Sequence, residues 1–185
     1  MTGSLYVLRH GKTDWNAIKK LQGQVDIPLN DEGRTMAKEA AARYADTKFD
    51  MCFCSPLVRA KETAGIFLLQ RNIPVEYDDR LKEISFGDYE GLEYLQLPDD
   101  HPVKTLFKDP EAYIPAPNGE SVEDLLRRTG SFLDDKVYPA LDEGKNVIIV
   151  GHGAMNSSII LNVKHLPVNR LWDEGIENCV LKKLI

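Results

Sequence analysis

The chain has 185 residues, 43% of them hydrophobic and 28% charged, which is typical of a single globular domain. Its formal net charge of −6 argues against broad binding to nucleic acid or to an anionic membrane, although a local arginine cluster can still bind a small anion. The three cysteines have no metal-ligand spacing. We also expect a cytoplasmic protein, because an odd number of cysteines without a signal peptide indicates a reducing compartment, and no apolar run could cross a bilayer.

Three short apolar segments are predicted to form buried strands of one sheet. They are residues 4–8 (SLYVL), 50–54 (DMCFC) and 146–150 (NVIIV). Each has the length and the residue types of a buried strand. Cys52 and Cys54 lie two residues apart on the second strand, so we expect them to share a face and to pack as small hydrophobic side chains.

Two helices are predicted on either side of the second strand. The first covers residues 31–44, with Asn30 as its N-cap. The second opens with Ser55 as N-cap and Pro56 at the first helical position.

Further helices and a last strand are predicted in the second half of the chain. A helix follows Ser121, which opens a capping pattern, another begins at Gly153, and residues 179–185 form a closing strand. Strands therefore alternate with helices. This alternation predicts the α/β class with a mostly parallel central sheet.

Residues 88–120 interrupt the alternation. They contain five prolines among several aromatic residues. A loop of this length inside a compact domain is usually functional or carries short helices. We interpret it as a small lid-like insertion over the active site, within a single domain that spans residues 1–185.

The residues that follow the three predicted strands have one chemical character. Residues 9–11 (RHG) end the first strand, Arg59 lies just after the second, and residues 151–153 (GHG) end the third. Ligands of parallel sheets bind beyond the carboxyl ends of the strands, so neighbouring strands would bring two arginines and two histidines together. Arginine forks match phosphate oxygens, and glycine lets the backbone approach them closely. The residues alone thus predict an anion site with two histidines and leave the reaction open.

The order of the motifs resembles that of the histidine phosphatase superfamily, which includes the cofactor-dependent phosphoglycerate mutases. Six blocks follow the family order over nearly the whole chain: LRHGKTDWN, LQGQVDIPLNDEG, SPLVRAKETA, LKEISFGDYEGL, NGES and VGHG. One Arg-His-Gly is weak evidence, whereas six ordered blocks are strong. The resemblance implies a three-layer α/β/α sandwich with a mostly parallel central sheet and a small insertion over the active site.

The resemblance also implies catalytic roles. His10 would be the nucleophile that becomes phosphorylated, and Glu83 would protonate the leaving alcohol and then activate water. Arg9, Arg59 and His152 would hold the phosphoryl oxygens and stabilise the transition state. The substrate-binding residues that it implies are Asn16, Gln22, Gly23 and Gly153. We expect no metal and no other cofactor, because cationic side chains replace magnesium in this chemistry.

Several functions remain open on the sequence. Hydrolysis of a small phosphorylated metabolite is favoured, because the mutases carry a longer, basic insertion where this chain has a short, acidic, proline-rich one. Mutase-type phosphoryl transfer and a non-catalytic phospholigand-binding module are the alternatives, and the module ranks lower because all five catalytic positions hold competent residues. A cysteine-based phosphatase needs five residues between cysteine and arginine, whereas four separate Cys54 from Arg59 and six separate Cys52 from Arg59. A homodimer is left open.

Overall fold

The computed structural model describes residues 2–185, and within them the fold is built on one five-stranded sheet. The strands are β1 (Leu5–Arg9), β2 (Met51–Cys54), β3 (Val75–Tyr77), β4 (Val147–Gly151) and β5 (Leu181–Lys183). Their spatial order is β3-β2-β4-β1-β5, and β5 alone runs antiparallel to its neighbour. The predicted α/β class with a mostly parallel sheet is confirmed.

The three strands predicted to be neighbours are adjacent. β4 lies between β2 and β1, with Arg9 opposite Gly151 and Cys54 opposite Val150. All five residues of β4 are buried, which explains why this strand is an unbroken apolar run rather than an alternating one. This register brings the carboxyl ends of β1, β2 and β4 to one edge of the sheet.

Helices cover both faces of the sheet. They are α1 (Asp14–Ala17), α2 (Asp31–Arg43), α3 (Val58–Phe67), α4 (Pro102–Lys108), α5 (Val122–Phe132), α6 (Tyr138–Asp142) and α7 (Gly153–Lys164), and the π-helical segment Leu133–Val137 joins α5 to α6. One face of the sheet packs with α5 and α7 in one hydrophobic cluster, and the other packs with α2 and α3 in a second cluster. Cys52 and Cys54 both belong to the second cluster, so their predicted shared face is confirmed.

The predicted helix starts have two different outcomes. Asn30 and Ser121 cap their helices as predicted, accepting the backbone N–H of Gly33 at 2.8 Å and of Asp124 at 3.1 Å. The prediction that Ser55 caps the second helix is wrong. That helix begins at Val58 without a side-chain cap, because the strand ladder continues through the backbone N–H of Ser55, which donates to Val150.

Pro56 therefore lies before the helix and not at its first position.

The segment 88–120 contains α4 and short 3₁₀ turns. Trp172 ties it to the body of the domain, since its indole N–H donates to the carbonyl of Leu106 at 2.7 Å and its ring stacks on Phe107. Within residues 2–185, no helix combines the length and the apolar character that crossing a membrane requires.

Candidate active site

A cleft of about 260 Å³ lies at the carboxyl ends of β1, β2 and β4. Its walls contain all the predicted site residues except His152, namely Arg9, His10, Asn16, Gln22, Gly23, Arg59, Glu83 and Gly153. Residues that the motifs did not single out complete the lining: Lys20, Leu21, Phe86, Phe107, Ala154 and Trp172. A larger surface groove of about 500 Å³ lies between α2 and α3, and none of the predicted site residues lines it.

His10 follows β1 directly and is almost completely buried. Its backbone N–H donates to Gly151 at 2.9 Å, which extends the ladder between β1 and β4 by one residue. Its ring Nδ1 lies 2.6 Å from the carbonyl oxygen of Gly11. Since a carbonyl oxygen can only accept, Nδ1 carries the proton. The second nitrogen, Nε2, therefore holds the lone pair that a nucleophile needs.

The electrostatic surroundings of His10 keep its ring neutral. Burial is the main cause that lowers its pKa well below the ordinary value of 6.5, and the positive charges of Arg59 and Arg9 lower it further. The hydrogen bond to Gly11 acts in the opposite direction and is outweighed. His10 is thus unprotonated on Nε2 at neutral pH.

His152 lies directly behind His10, with 5.1 Å between the ring centroids, and its side chain is fully buried. Its Nδ1 accepts the Nε–H of Arg59 at 3.2 Å, so the proton of the ring is on Nε2, which lies 2.7 Å from the hydroxyl of Ser55. Burial, followed by the charge of Arg59, lowers the pKa of His152 well below 6.5. Both ring nitrogens are engaged within the protein, and a contact of His152 with a phosphoryl oxygen remains a prediction.

Arg59, in the first turn of α3, is the largest of the fully buried side chains. Besides its bond to His152, it donates to the carbonyl oxygens of Gly23 at 2.6 Å and Val25 at 2.8 Å. Burial lowers its pKa, and the carboxylate of Glu83 opposes that effect. Among residues 2–185, no carboxylate forms an ion pair with it within 4 Å. Such a buried charge favours the binding of an anion.

Arg9 ends β1 and contributes the second guanidinium group. Its Nη1 donates to the carbonyl of Ile176 at 3.1 Å, whereas its buried Nε has no partner in the described part of the chain. Burial lowers the pKa of Arg9, and Glu83 again acts in the opposite direction. This side chain therefore retains an unused donor beside the cleft.

Glu83 places its carboxylate on the amino-terminal end of α7. Its Oε1 accepts the backbone N–H groups of Ile84 and Met155, each at 2.9 Å, and its Oε2 accepts that of Ala154 at 3.2 Å. These donors and the helix dipole stabilise negative charge on the carboxyl group. A Cβ atom on Gly153 would lie 3.5 Å from both Oε2 of Glu83 and Cζ of Arg9, so the glycine leaves the space between them open.

The loops that carry the site are held together by residues outside the predicted set. Gly23 has a φ of 50°, and a Cβ there would lie 2.0 Å from Oε1 of Glu90. That oxygen accepts the backbone N–H groups of Gln24 at 2.9 Å and Phe86 at 3.1 Å, which joins the loop of Gly23 to the loop of Glu83. The carbonyl of Glu83 also accepts from Arg128 on α5 at 3.2 Å.

Asn16 and Gln22 share one polar partner. The Oδ1 of Asn16 accepts the backbone N–H of Thr13 at 3.1 Å, and the Oε1 of Gln22 accepts the hydroxyl of Thr13 at 3.0 Å. Because both amide oxygens are occupied, the amide nitrogens are the groups that these side chains can offer to an anion in the cleft.

Sequence reasoning missed several residues of the cleft and its support. Arg128 forms an ion pair with Glu120 at 2.6 Å, and Glu120 belongs to the NGES block, so that block held a signal. Trp172 lies in an irregular segment without a motif, and no local signal indicated it. Within residues 2–185, no cluster of three or more His, Cys, Asp or Glu side chains could hold a metal ion.

Comparisons with known proteins identify the family of the chain. The family model described as histidine phosphatase superfamily (branch 1) matches residues 5–185. An uncharacterized phosphatase, PhoE, of Bacillus subtilis is 34% identical over 159 residues, which are 85% of this chain and 75% of that protein. A 2,3-bisphosphoglycerate-dependent phosphoglycerate mutase of Gloeobacter violaceus is 29% identical, over 95% of this chain and 82% of that protein.

A solved structure gives the same result for the fold. The mycobacterial glucosyl-3-phosphoglycerate phosphatase, in its complex with VO3, superposes with a TM-score of 0.86 at 29% identity, covering 98% of this chain and 92% of that one. The match of the family model extends over nearly the whole chain. The chain therefore belongs to the histidine phosphatase superfamily, branch 1.

Proposed function

We propose that the chain is a phosphatase that hydrolyses a small phosphomonoester metabolite through a phosphohistidine on His10, without a metal ion. The state of the His10 ring carries this proposal. Nδ1 is held by the carbonyl of Gly11, and burial together with two arginines keeps the ring neutral, so Nε2 has a lone pair available to attack phosphorus. Family membership and relatives named as phosphatases support a phosphoric monoester hydrolase.

In the first step, Nε2 of His10 attacks phosphorus. A P–N bond forms while the bond between phosphorus and the ester oxygen breaks, and the alcohol leaves with a proton from Glu83. Arg9 and Arg59 offset the negative charge on the phosphoryl oxygens. His152 supports Arg59 by accepting its Nε–H.

In the second step, water replaces the alcohol. Glu83, now ionised, accepts a proton from that water, the water oxygen bonds to phosphorus, and the P–N bond breaks. Inorganic phosphate leaves, and His10 is again neutral with its proton on Nδ1. Glu83 thus gives a proton to the alcohol in the first step and takes one from water in the second, while three backbone N–H groups hold its carboxyl group in position.

The insertion favours hydrolysis over mutase-type transfer. Lys104 and Lys108 are its only lysines, and it contains no arginine. Both lysines contact Asp99, and neither lines the cleft. Mutase-type transfer requires the substrate to stay bound while it reorients in the cleft between the two phosphoryl transfers. The insertion adds no lysine or arginine that could hold it there. Mutase-type phosphoryl transfer is the second candidate function, because the chain is similar to the mutase of Gloeobacter violaceus.

We further infer that residues 88–120 act as a lid on the alcohol side of the cleft. Phe107 supports this role, because it lines the cleft and stacks on Trp172 with 5.2 Å between the ring centroids. Tyr113 is buried in the first hydrophobic cluster and Tyr89 packs against that cluster, so these two aromatics hold the insertion on the domain. We also infer a cytoplasmic location from the three cysteines, which are all buried and free.

Turnover of p-nitrophenyl phosphate by the purified protein tests the activity. His10→Ala should abolish turnover and covalent labelling together, whereas the exposed His165 provides a matched control, and His165→Asn should behave as the wild type. Rapid denaturation without acid should trap an acid-labile, base-stable phosphoryl group on the peptide that contains His10. Label on a cysteine or serine, or normal turnover by His10→Ala, would contradict the mechanism. Release of inorganic phosphate separates hydrolysis from transfer.

A further inference from the structure

A second space, which we call the side chamber, adjoins the cleft. It has a volume of about 370 Å³ and shares five lining residues with the cleft, namely Arg9, Asn16, Lys20, Leu21 and Phe107. The residues that line only the side chamber are Lys12, Lys19, Tyr94 and Asn178. A substrate bound in the cleft can therefore extend past Lys20 and Phe107 into the side chamber.

The side chamber is strongly cationic. Four of its nine lining residues are Arg9, Lys12, Lys19 and Lys20, and none of the nine is acidic. The chain as a whole has a net charge of −6, so this concentration of positive charge runs against the general balance of the protein. Cations placed close together repel one another unless an anion lies between them.

The protein itself neutralises little of this charge. Lys12 forms an ion pair with Glu32, and the ammonium group of Lys20 lies 4.9 Å from the centre of the Trp15 ring. Within residues 2–185, neither Lys19 nor Lys20 has an ion pair with a carboxylate. A cation over an aromatic face is held in position without losing its charge. Lys20 is thus an oriented positive charge at the boundary between the cleft and the side chamber.

We propose that Lys20, assisted by Lys12 and Lys19, binds a second negatively charged group on the alcohol portion of the substrate. This inference rests on the proposed function, because it places the phosphoryl group between His10 and Arg59 and directs the rest of the ester towards Lys20. The substrate class is then a phosphomonoester whose alcohol carries a carboxylate or a second phosphate. Lys20 determines specificity, whereas the chemistry stays with the residues already described.

The test compares matched pairs of esters that differ in one charged group. The first pair is 3-phosphoglycerate and glycerol 3-phosphate, which share a three-carbon skeleton. The second pair is fructose 1,6-bisphosphate and fructose 6-phosphate, which share a hexose. The first pair reports on a carboxylate and the second on a second phosphate. We expect kcat/KM to be about tenfold higher, at low salt, for the member of at least one pair that carries the additional charged group. This preference should decrease as salt is added.

Lys20→Gln should reduce the ratio of kcat/KM between the two members of the preferred pair to within about threefold. The matched control is Lys38→Gln, because Lys38 is an exposed lysine on α2 outside the cleft and the side chamber, and this variant should keep the wild-type ratio. Equal kcat/KM for both members of both pairs in the wild type, or an unchanged ratio in Lys20→Gln, would overturn the proposal.

Failure of the proposed function gives a different result. In that case p-nitrophenyl phosphate is not hydrolysed at all, and the lysine is tested by binding instead. Calorimetry with His10→Ala, which cannot form the phosphohistidine, should still show tighter binding of the anionic member of a pair. Loss of that difference in His10→Ala/Lys20→Gln supports the role of Lys20, and equal binding of both members to His10→Ala refutes it.

Discussion

The free energy of unfolding should fall steeply when the pH is lowered from 7 to 5. His10 and His152 are buried and neutral, and both pKa values lie well below 6.5 in the folded protein. The unfolded chain therefore binds up to two protons that the folded chain does not bind. The stability that depends on the neutral rings is fully present above pH 6.5 and is lost as the pH falls towards the folded-state pKa values.

The size of the effect follows from proton linkage. Each histidine contributes a slope of up to about 1.4 kcal/mol per pH unit below its unfolded pKa. Between pH 7 and pH 5, two such residues can remove at most about 4 kcal/mol. That loss is a large part of the 5–15 kcal/mol that is typical of a small domain. In the unfolded chain the carboxyl groups titrate mainly below this window, because their ordinary pKa values are about 3.9 and 4.3.

Urea unfolding at pH 7, 6 and 5, followed by tryptophan fluorescence, measures this slope. His152→Gln changes the absolute stability, but the informative quantity is the pH slope, which should drop to about half. His165 provides the control, because it is exposed and has a φ of 52° that asparagine tolerates, so His165→Asn should keep the wild-type slope. A free energy of unfolding that is flat between pH 7 and 5 would refute the assignment of two buried neutral histidines.

Three further outcomes concern catalysis. Glu83→Gln should slow the first step, phosphorylation of His10, about a hundredfold or more with alkyl esters and much less with p-nitrophenyl phosphate, because p-nitrophenolate needs little protonation to leave; equal losses in single-turnover measurements of this step would contradict the role of Glu83 as the acid. The acid limb of kcat/KM should lie below pH 6.5, since the pKa of free His10 is lowered, and a limb above that value in the pH profile would contradict it. Activity should persist in excess chelator, and vanadate should inhibit; complete loss with EDTA that a divalent ion restores would exclude a metal-independent mechanism.

The parts of the site that follow strand ends could be predicted from the sequence. A parallel sheet fixes where strand ends meet, and the pairing of Arg9 with Gly151 brings His10 and His152 together without any knowledge of side-chain packing. Glu83 is different. It lies in an irregular segment after a short 3₁₀ turn, where no periodicity predicts a position, so only the resemblance to the family identified it.

Residues with two plausible local roles were the main source of error. Ser55-Pro56 has the composition of a helix start, yet the hydroxyl of Ser55 bonds the ring of His152 across the sheet at 2.7 Å. A long-range partner of this kind is invisible in a local pattern. Strand β3 was missed because all three of its residues are exposed and it forms the edge of the sheet, where no buried face imposes an alternating pattern.

The hydrogen bond between His10 and Gly11 serves both steps of the proposed reaction. Before attack, the carbonyl of Gly11 fixes the proton on Nδ1 and leaves Nε2 unprotonated. When Nε2 bonds to phosphorus, the ring keeps that proton and becomes positively charged, although burial and two arginines disfavour charge on it. The carbonyl then stabilises the cation, and the bound phosphoryl group supplies compensating negative charge. Because the ring leaves phosphorus as neutral imidazole, the same surroundings that keep His10 neutral before attack promote cleavage of the P–N bond by water.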